Sequence, residues 1–216
     1  MAENLVIALD GPAAAGKGTL ARRLAEHYSL AYLDSGTLYR GVGLAVLRQG
    51  LDPANETTAT AAAVALQPEI LAEPEIRVEA TSQAASKVAA IPGVRAALLD
   101  WQRRFAAHPP AGRTGAVLDG RDIGTVVCPT AKVKIFITAT VEARARRRFN
   151  ELQEKGESVI YARVLEDMRE RDARDTVRST SPMKPADDAL IIDTSALDAD
   201  QVFERARAYI DRRLQG

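Results

Sequence analysis

The chain holds one cysteine, Cys128, and two histidines, His27 and His108. A lone cysteine excludes an internal disulfide and a thiolate metal cluster, and it fits a reducing compartment. The histidines stand apart, His27 within a helical pattern and His108 just before Pro109-Pro110, so neither is expected to ligate metal or act in catalysis. Aromatic residues make up 5% of the chain, and no strand-like run carries the rings that stack bases in RNA-binding sheets. Charge of either sign is not in excess: 29 basic residues offset 29 acidic ones, which excludes a global field favouring nucleic acid or an anionic membrane. No apolar run approaches the ~20 residues of a membrane span, and the N-terminus shows no charged leader ahead of an apolar segment. We expect a cytoplasmic monomer with no nucleic-acid and no membrane partner.

What is present suffices for one α/β domain with excursions: 216 residues, 46% of them hydrophobic. Residues 5–9 form a short continuous apolar run, as in strands buried on both faces of a parallel sheet. Similar runs recur at Ala31-Tyr32-Leu33, at Ala116-Val117-Leu118-Asp119, at 133–137 and at 189–192. Helical patterns lie between them. The first carries Leu20, Leu24 and His27; the second, capped by Asp34 or Ser35, runs to Arg48 and stops at Gly50. Pro92 opens a helix with Val94, Leu98, Trp101 and Phe105 on its stripe, and Trp101 reads as core. Thr140 caps another, with Val141, Ala145, Phe149 and Leu152 on one face and Arg144, Arg146, Arg147 and Arg148 in its first half. Gly156 ends it. Ser158 is expected to start the next helix, whose stripe of Ile160, Val164 and Met168 continues into Arg171, Asp175 and Arg178. Asp198 and Gln201 cap a last helix bearing Phe203, Ala206, Ile210 and Leu214. Between residues 51 and 86, Pro53, Pro68 and Pro74 interrupt an Ala/Thr-rich stretch in which Ile76-Arg77-Val78-Glu79-Ala80 alternates as one exposed strand. The alternation predicts a doubly wound parallel sheet of five strands, in a single domain over 1–216.

The chain is organised around Gly11-Pro12-Ala13-Ala14-Ala15-Gly16-Lys17-Gly18-Thr19, between the first strand and the first helix. Glycines at 11 and 16 let successive backbone N–H groups converge on phosphate oxygens, and the helix that follows adds its positive end. Lys17 supplies a mobile charge for the outer phosphates. The usual P-loop has Ser or Thr directly after the lysine; here Gly18 takes that place and the hydroxyl follows at Thr19. That pattern looks like the nucleoside-monophosphate kinase branch.

Three further motifs follow in order: Asp34-Ser35-Gly36 with Tyr39-Arg40, Gly120-Arg121-Asp122-Ile123-Gly124-Thr125, and Arg171-Asp172-Ala173-Arg174-Asp175 with Arg178. The second lies at a strand's carboxyl end, where ligands bind in doubly wound folds. With residues 11–19 these motifs closely resemble the bacterial cytidylate kinases, and the similarity extends through Lys184-Pro185-Ala186-Asp187-Asp188 to the last strand. The resemblance implies transfer of the γ-phosphoryl of ATP to CMP or dCMP, with Mg²⁺. It implies that Ser86, Arg95 and Asp122 hold the cytosine, that Arg40, Arg121 and Arg178 hold its phosphate, and that Arg171 and Asp175 meet the pentose beside Ser35. Lys17, Arg121 and Arg178 would act on the transferring group. It also makes residues 51–86 a monophosphate-binding insert and 144–168 a helical lid.

The chemistry agrees with these roles. Cytosine offers an amine that a carboxylate accepts and ring acceptors that a guanidinium satisfies, whereas uracil presents a carbonyl where the amine was. The acceptor phosphate has its second pKa near ~6, so at neutral pH the attacking oxygen is already ionised and no protein base is needed. Bringing two polyanions together instead demands arginines, Lys17 and a magnesium ion, which Thr19 or Asp119 through water would help place. Taken alone, Arg171 and Asp175 also form an ordinary i, i+4 helix pair worth ~0.3 kcal/mol. Two other readings stand beside this one: a P-loop kinase for another small acceptor, such as UMP or a hydroxy acid, and a nucleotide-switch or RNA-binding module.

Overall fold

The five apolar runs are strands in the computed structural model, which describes residues 4–110, 112–177 and 181–215. They are β1 (Leu5–Asp10), β2 (Ala31–Asp34), β3 (Gly115–Gly120), β4 (Val133–Thr138) and β5 (Leu190–Asp193). Every neighbouring pair is parallel, and the order across the sheet is β2-β3-β1-β4-β5. Alternate side chains enter different cores, as the two-residue period of a strand requires. Ile7, Leu9, Val117, Ile135 and Ile137 meet helices α1 (Lys17–His27) and α8 (Ala199–Gln215). Ala8, Ala116 and Leu118 meet Leu99, Phe105 and Ala106 of α5 (Pro92–Ala107) on the opposite face. The sheet is thus doubly wound, as the sequence predicts.

A third core joins α2 (Ser35–Arg48), α3 (Glu56–Val64), α4 (Glu79–Val88) and α5. Asn55 starts α3 by accepting the Thr58 amide at 3.0 Å, which satisfies one of the orphan donors of the first turn. The exposed strand expected at 76–80 is not there. Pro74 opens a 3₁₀ turn, Pro74–Arg77; Ile76 is buried, and Glu79 begins α4. The reason lies in side-chain size: α4 presents Ala84, Ala85 and Val88 to α2, where a Cβ added at Gly43 would stand 2.9 Å from that of Ala84. Small residues let the two helix backbones approach closely, and that packing draws Glu79 and Ala80 into the helix.

Thr140 caps α6 (Val141–Glu154) by accepting the Ala143 amide at 3.3 Å. Gly156, at φ 79, turns the chain back into α7 (Tyr161–Val177). That helix begins three residues later than the expected Ser158. Val164 and Met168 are buried as the stripe requires, but Ile160 lies before the helix and is 63% exposed. Trp101 packs half-buried against the third core, and Asp198 caps α8 together with Gln201, both as expected.

Candidate active site

β1 lies at the centre of the sheet, and the chain leaves it toward β2 while it leaves β3 toward β4. The carboxyl ends of β1 and β3 therefore flank a crevice, the place where doubly wound sheets take their ligands. Three aspartates gather along that edge: Asp10 ends β1, Asp34 ends β2, and Asp119 of β3 pairs in register with both Leu9 and Asp34. The cleft above them has a volume of about 660 Å³.

On one side of it the loop between β1 and α1 is tightly determined. Gly11 has φ 143, and a Cβ there would stand 1.9 Å from the Ile137 carbonyl oxygen, so only glycine lets the loop lie against β4. Ala14 and Gly16 take left-handed conformations, at φ 56 and φ 94. Three donors fix the peptide planes: Lys17 Nζ donates to the Pro12 carbonyl at 2.9 Å, Arg144 to that of Ala13 at 3.4 Å, and Thr194 Oγ1 to that of Ala15 at 3.0 Å. Gly16 caps α1 without a side-chain bond, so the first amides of the helix are left for a ligand. Residues 13–19 line the cleft, Thr19 and Gly18 included, while Gly11 and Pro12 lie behind them.

Lys17 is the one lysine lining the cleft among the described residues, and it is buried. Burial first, and the charge of Arg121 second, push its pKa well below the usual lysine range. Its Nζ stands 3.9 Å from Asp119 Oδ1. Burial likewise raises the Asp119 carboxyl, against the pull of Lys17. Each charge is thus only partly compensated by the other.

On the other side, Asp122 follows β3 and forms an ion pair with Arg95 of α5, both almost fully buried. Arg95 also donates to the Ala89 carbonyl at 3.2 Å and lies 5.5 Å from the Tyr39 ring centre. Arg121 Nε donates to Asp175 Oδ2 of α7 at 3.0 Å, and Ser35 Oγ donates to the Asp119 carbonyl at 2.8 Å. Arg171 reaches Ser82 Oγ of α4 at 3.3 Å, and one turn further Arg174 reaches Ser86 Oγ at 3.3 Å. Burial, followed by the Arg121 charge, depresses Arg171; a guanidinium stays protonated nonetheless, so the depression measures a charge poorly compensated by its surroundings. Two buried donors, Nε of Arg95 and Nε of Arg171, make no hydrogen bond.

Of the residues expected in the acceptor half, Ser35, Arg40, Ser86, Arg95, Arg121, Asp122, Arg171 and Asp175 all line this one cleft. Arg178 lies outside the described residues. The partners of the arginine cluster on α6 were not foreseen. Arg148 of α6 pairs with Glu79 of α4 across the cleft mouth and with Glu151 at 2.8 Å. Arg144 clasps Asp172 with bonds of 3.0 and 2.5 Å, tying α6 to α7. The Arg144–Arg148 cluster was visible in the sequence; its partners were not, and Glu79 was hidden by the strand reading.

The cytidylate kinase family model matches residues 7–212. The chain belongs to the cytidylate kinase family. A cytidylate kinase of Paramagnetospirillum magneticum is 63% identical over 207 residues, covering 96% of this chain and 98% of that protein. One of Rhodospirillum rubrum is 58% identical, covering 94% and 95%, and one of Granulibacter bethesdensis is 54% identical, covering 97% and 98%. Among solved structures, an uncharacterized protein from Eubacterium ventriosum aligns with TM-score 0.55 at 16% identity, over 97% of this chain and 99% of that one. A sugar kinase from Janibacter sp. aligns with TM-score 0.52 at 14% identity, over 96% and 95%. These two likenesses concern the fold alone. As a member of the cytidylate kinase family the chain is an enzyme, and its sheet is that of a P-loop kinase. No helix among the described residues is long and apolar enough to cross a membrane.

Proposed function

We propose that the cleft binds the triphosphate of ATP on residues 11–19 and CMP or dCMP between α4, α5 and α7, and that it transfers the γ-phosphoryl from the first to the second. The family supports the reaction: ATP-dependent phosphorylation of CMP or dCMP, giving CDP or dCDP and ADP. The observation that carries the assignment of the acceptor half is the buried Arg95–Asp122 pair, which shares one cleft with the phosphate loop. A buried carboxylate accepts from the exocyclic amine of cytosine, and the unbonded Arg95 Nε is a donor for a ring acceptor. Uracil would set a carbonyl against Asp122, and an unsatisfied buried group costs ~1–3 kcal/mol, or roughly ten- to hundredfold in preference. Ser86 completes the base site.

Arg40, Arg121 and Arg178 are assigned to the acceptor phosphate, and Arg171, Asp175 and Ser35 to the pentose side. The phosphate loop fits the donor: its left-handed residues, tethered carbonyls and uncapped helix start form a concave set of amides. Lys17 and Arg121 neutralise charge on the transferring group, with Arg178. Magnesium, when bound, would supply further neutralisation there, and Thr19, or Asp119 through water, would help place it. Residues 51–86 act as the insert over the monophosphate and residues 144–168 as the lid, excluding water that would compete for the phosphoryl group. The enzyme works in the cytoplasm as a monomer on small-molecule nucleotides.

ADP release measured with ATP and a panel of CMP, dCMP, UMP and a hydroxy acid tests the assignment. CMP and dCMP are expected to lead, with UMP at least ~10-fold behind in kcat/KM. A panel in which UMP or the hydroxy acid outpaces CMP overturns it.

A further inference from the structure

Asp10 ends β1 one residue before the phosphate loop, is buried, and has no part in the chemistry described so far. Its carboxylate does not face the loop it precedes. Oδ1 accepts the Ile123 amide and Oδ2 the Gly124 amide, each at 2.7 Å. These amides open the π-helical turn Ile123–Val127, and a helical first turn has no internal partner for its N–H groups. The residue immediately before them is Asp122, whose carbonyl in turn accepts from Val126 at 2.9 Å and Val127 at 3.2 Å. Asp122 is therefore gripped on both sides: its own carbonyl by the turn, and the next two amides by Asp10.

From this geometry we infer that Asp10 is a positioning residue for the acceptor base: by clamping the two amides after Asp122 it aims that carboxylate at Arg95 and the cytosine. The inference rests on the assignment of Asp122 and Arg95 to the base. It links the two halves of the site through one strand end, since the residue that orients the acceptor turn is joined directly to Gly11 of the donor loop. Two features explain why a carboxylate is used. Both of its oxygens are acceptors, whereas an amide of the same shape would turn one N–H₂ against an N–H. Gly124 also lets the turn sit close on that carboxylate, since a Cβ there would stand 3.4 Å from Asp10 Oδ2 and 3.3 Å from the side chain of Lys134. Burial raises the Asp10 carboxyl while the two amides favour its anion, consistent with a group held for what it binds.

Steady-state kinetics of Asp10→Asn, Gly124→Ala and Asp122→Asn with CMP, UMP and ATP, beside thermal unfolding of each, test the inference. Asp10→Asn is expected to raise KM for CMP ~10-fold and to lower the CMP-over-UMP preference ~10-fold, with KM for ATP changed less than ~2-fold. Gly124→Ala, which disturbs the same clamp from the other side, should move the same two quantities in the same direction by ~3-fold. A purely structural Asp10 would lower the melting temperature and kcat and leave both KM values and the preference unchanged; that result overturns the inference. An equal rise in KM for ATP and CMP also overturns it. If Asp10→Asn does not fold, an unaltered preference in Gly124→Ala decides against the clamp. Asp122→Asn separates the layers: if it lowers the preference and the other two do not, Asp10 has no positioning role and the base site stands. If it leaves the preference intact, the base site is wrong and the role of Asp10 falls with it.

Discussion

Lys17→Met removes the ammonium and keeps a side chain of similar length. Lys17 is 6% exposed, bonded to the Pro12 carbonyl at 2.9 Å and 3.9 Å from Asp119. Burial, then the Arg121 charge, bring its pKa from 10.5 down to about 8. The charged lysine therefore costs the native state stability at neutral pH. Removal relieves that cost but leaves Asp119 without its counter-charge, and Asp119 already sits at about 6 because of burial, so part of the gain is lost. The ligand-free variant is expected to melt at the wild-type temperature or up to ~4 °C above it. Turnover should fall at least ~100-fold, about 2.7 kcal/mol of transition-state stabilisation. The pH dependence is a second readout. Between about 8 and 10.5 the unfolded wild-type chain holds more protons on Lys17 than the native one, so wild-type stability rises with pH across that window. Below about 8 both states are protonated and the penalty is complete. The difference between variant and wild type, measured by denaturant unfolding of nucleotide- and metal-free protein, should therefore shift in favour of wild type from pH 8 to pH 10. Near-normal turnover, or a stability difference flat across that window, refutes the reasoning.

Two further perturbations test the frame of the site. Gly11→Ala drives a Cβ into the Ile137 carbonyl at a backbone angle that L residues rarely adopt, whereas Gly16→Ala meets nothing within 4 Å and bears only its φ of 94. Gly11→Ala is expected to cost at least ~3 kcal/mol or prevent folding, and Gly16→Ala ~1–2 kcal/mol; equal costs in denaturant titrations would contradict the packing of the loop on β4. Glu79 and Arg148 should couple by ~1 kcal/mol in a double-mutant cycle built from Glu79→Gln and Arg148→Ala, falling in high salt. A coupling of zero at low salt would mean that the pair does not hold α4 to α6 in solution.

How far the sequence reaches depends on how local each feature is. The loop at 11–19 is legible because its requirements, two glycines and a lysine at fixed offsets, lie within nine residues of one another. The strands are legible because a parallel strand buried on both faces is a continuous apolar run. The stretch at 76–80 misleads for the opposite reason. Its alternation is genuine, but Pro74 and the packing of the small residues of α4 against Gly43 decide the outcome. Asp10 was illegible as a working residue because its partners are backbone amides 113 and 114 residues away, which no spacing rule records. Glu79 and Asp172 were missed as partners of Arg148 and Arg144 on the same ground: a charge on a helix reads as solvated until the facing helix is known.

Four of the eight described cations that line the cleft are paired with carboxylates: Arg95 with Asp122, Arg121 with Asp175, Lys17 beside Asp119, Arg148 with Glu79. This arrangement answers a problem that any site for two polyanions faces. Such a site needs buried positive charge when loaded, and uncompensated buried charge would unfold it when empty. Internal carboxylates supply the compensation. Arg171 departs from that scheme. Its bond within the cleft is to a neutral serine at 3.3 Å, its Nε makes no hydrogen bond, and burial together with Arg121 depresses it. An anionic oxygen placed at this guanidinium would satisfy a donor that the protein leaves unsatisfied, and would displace no carboxylate to do so.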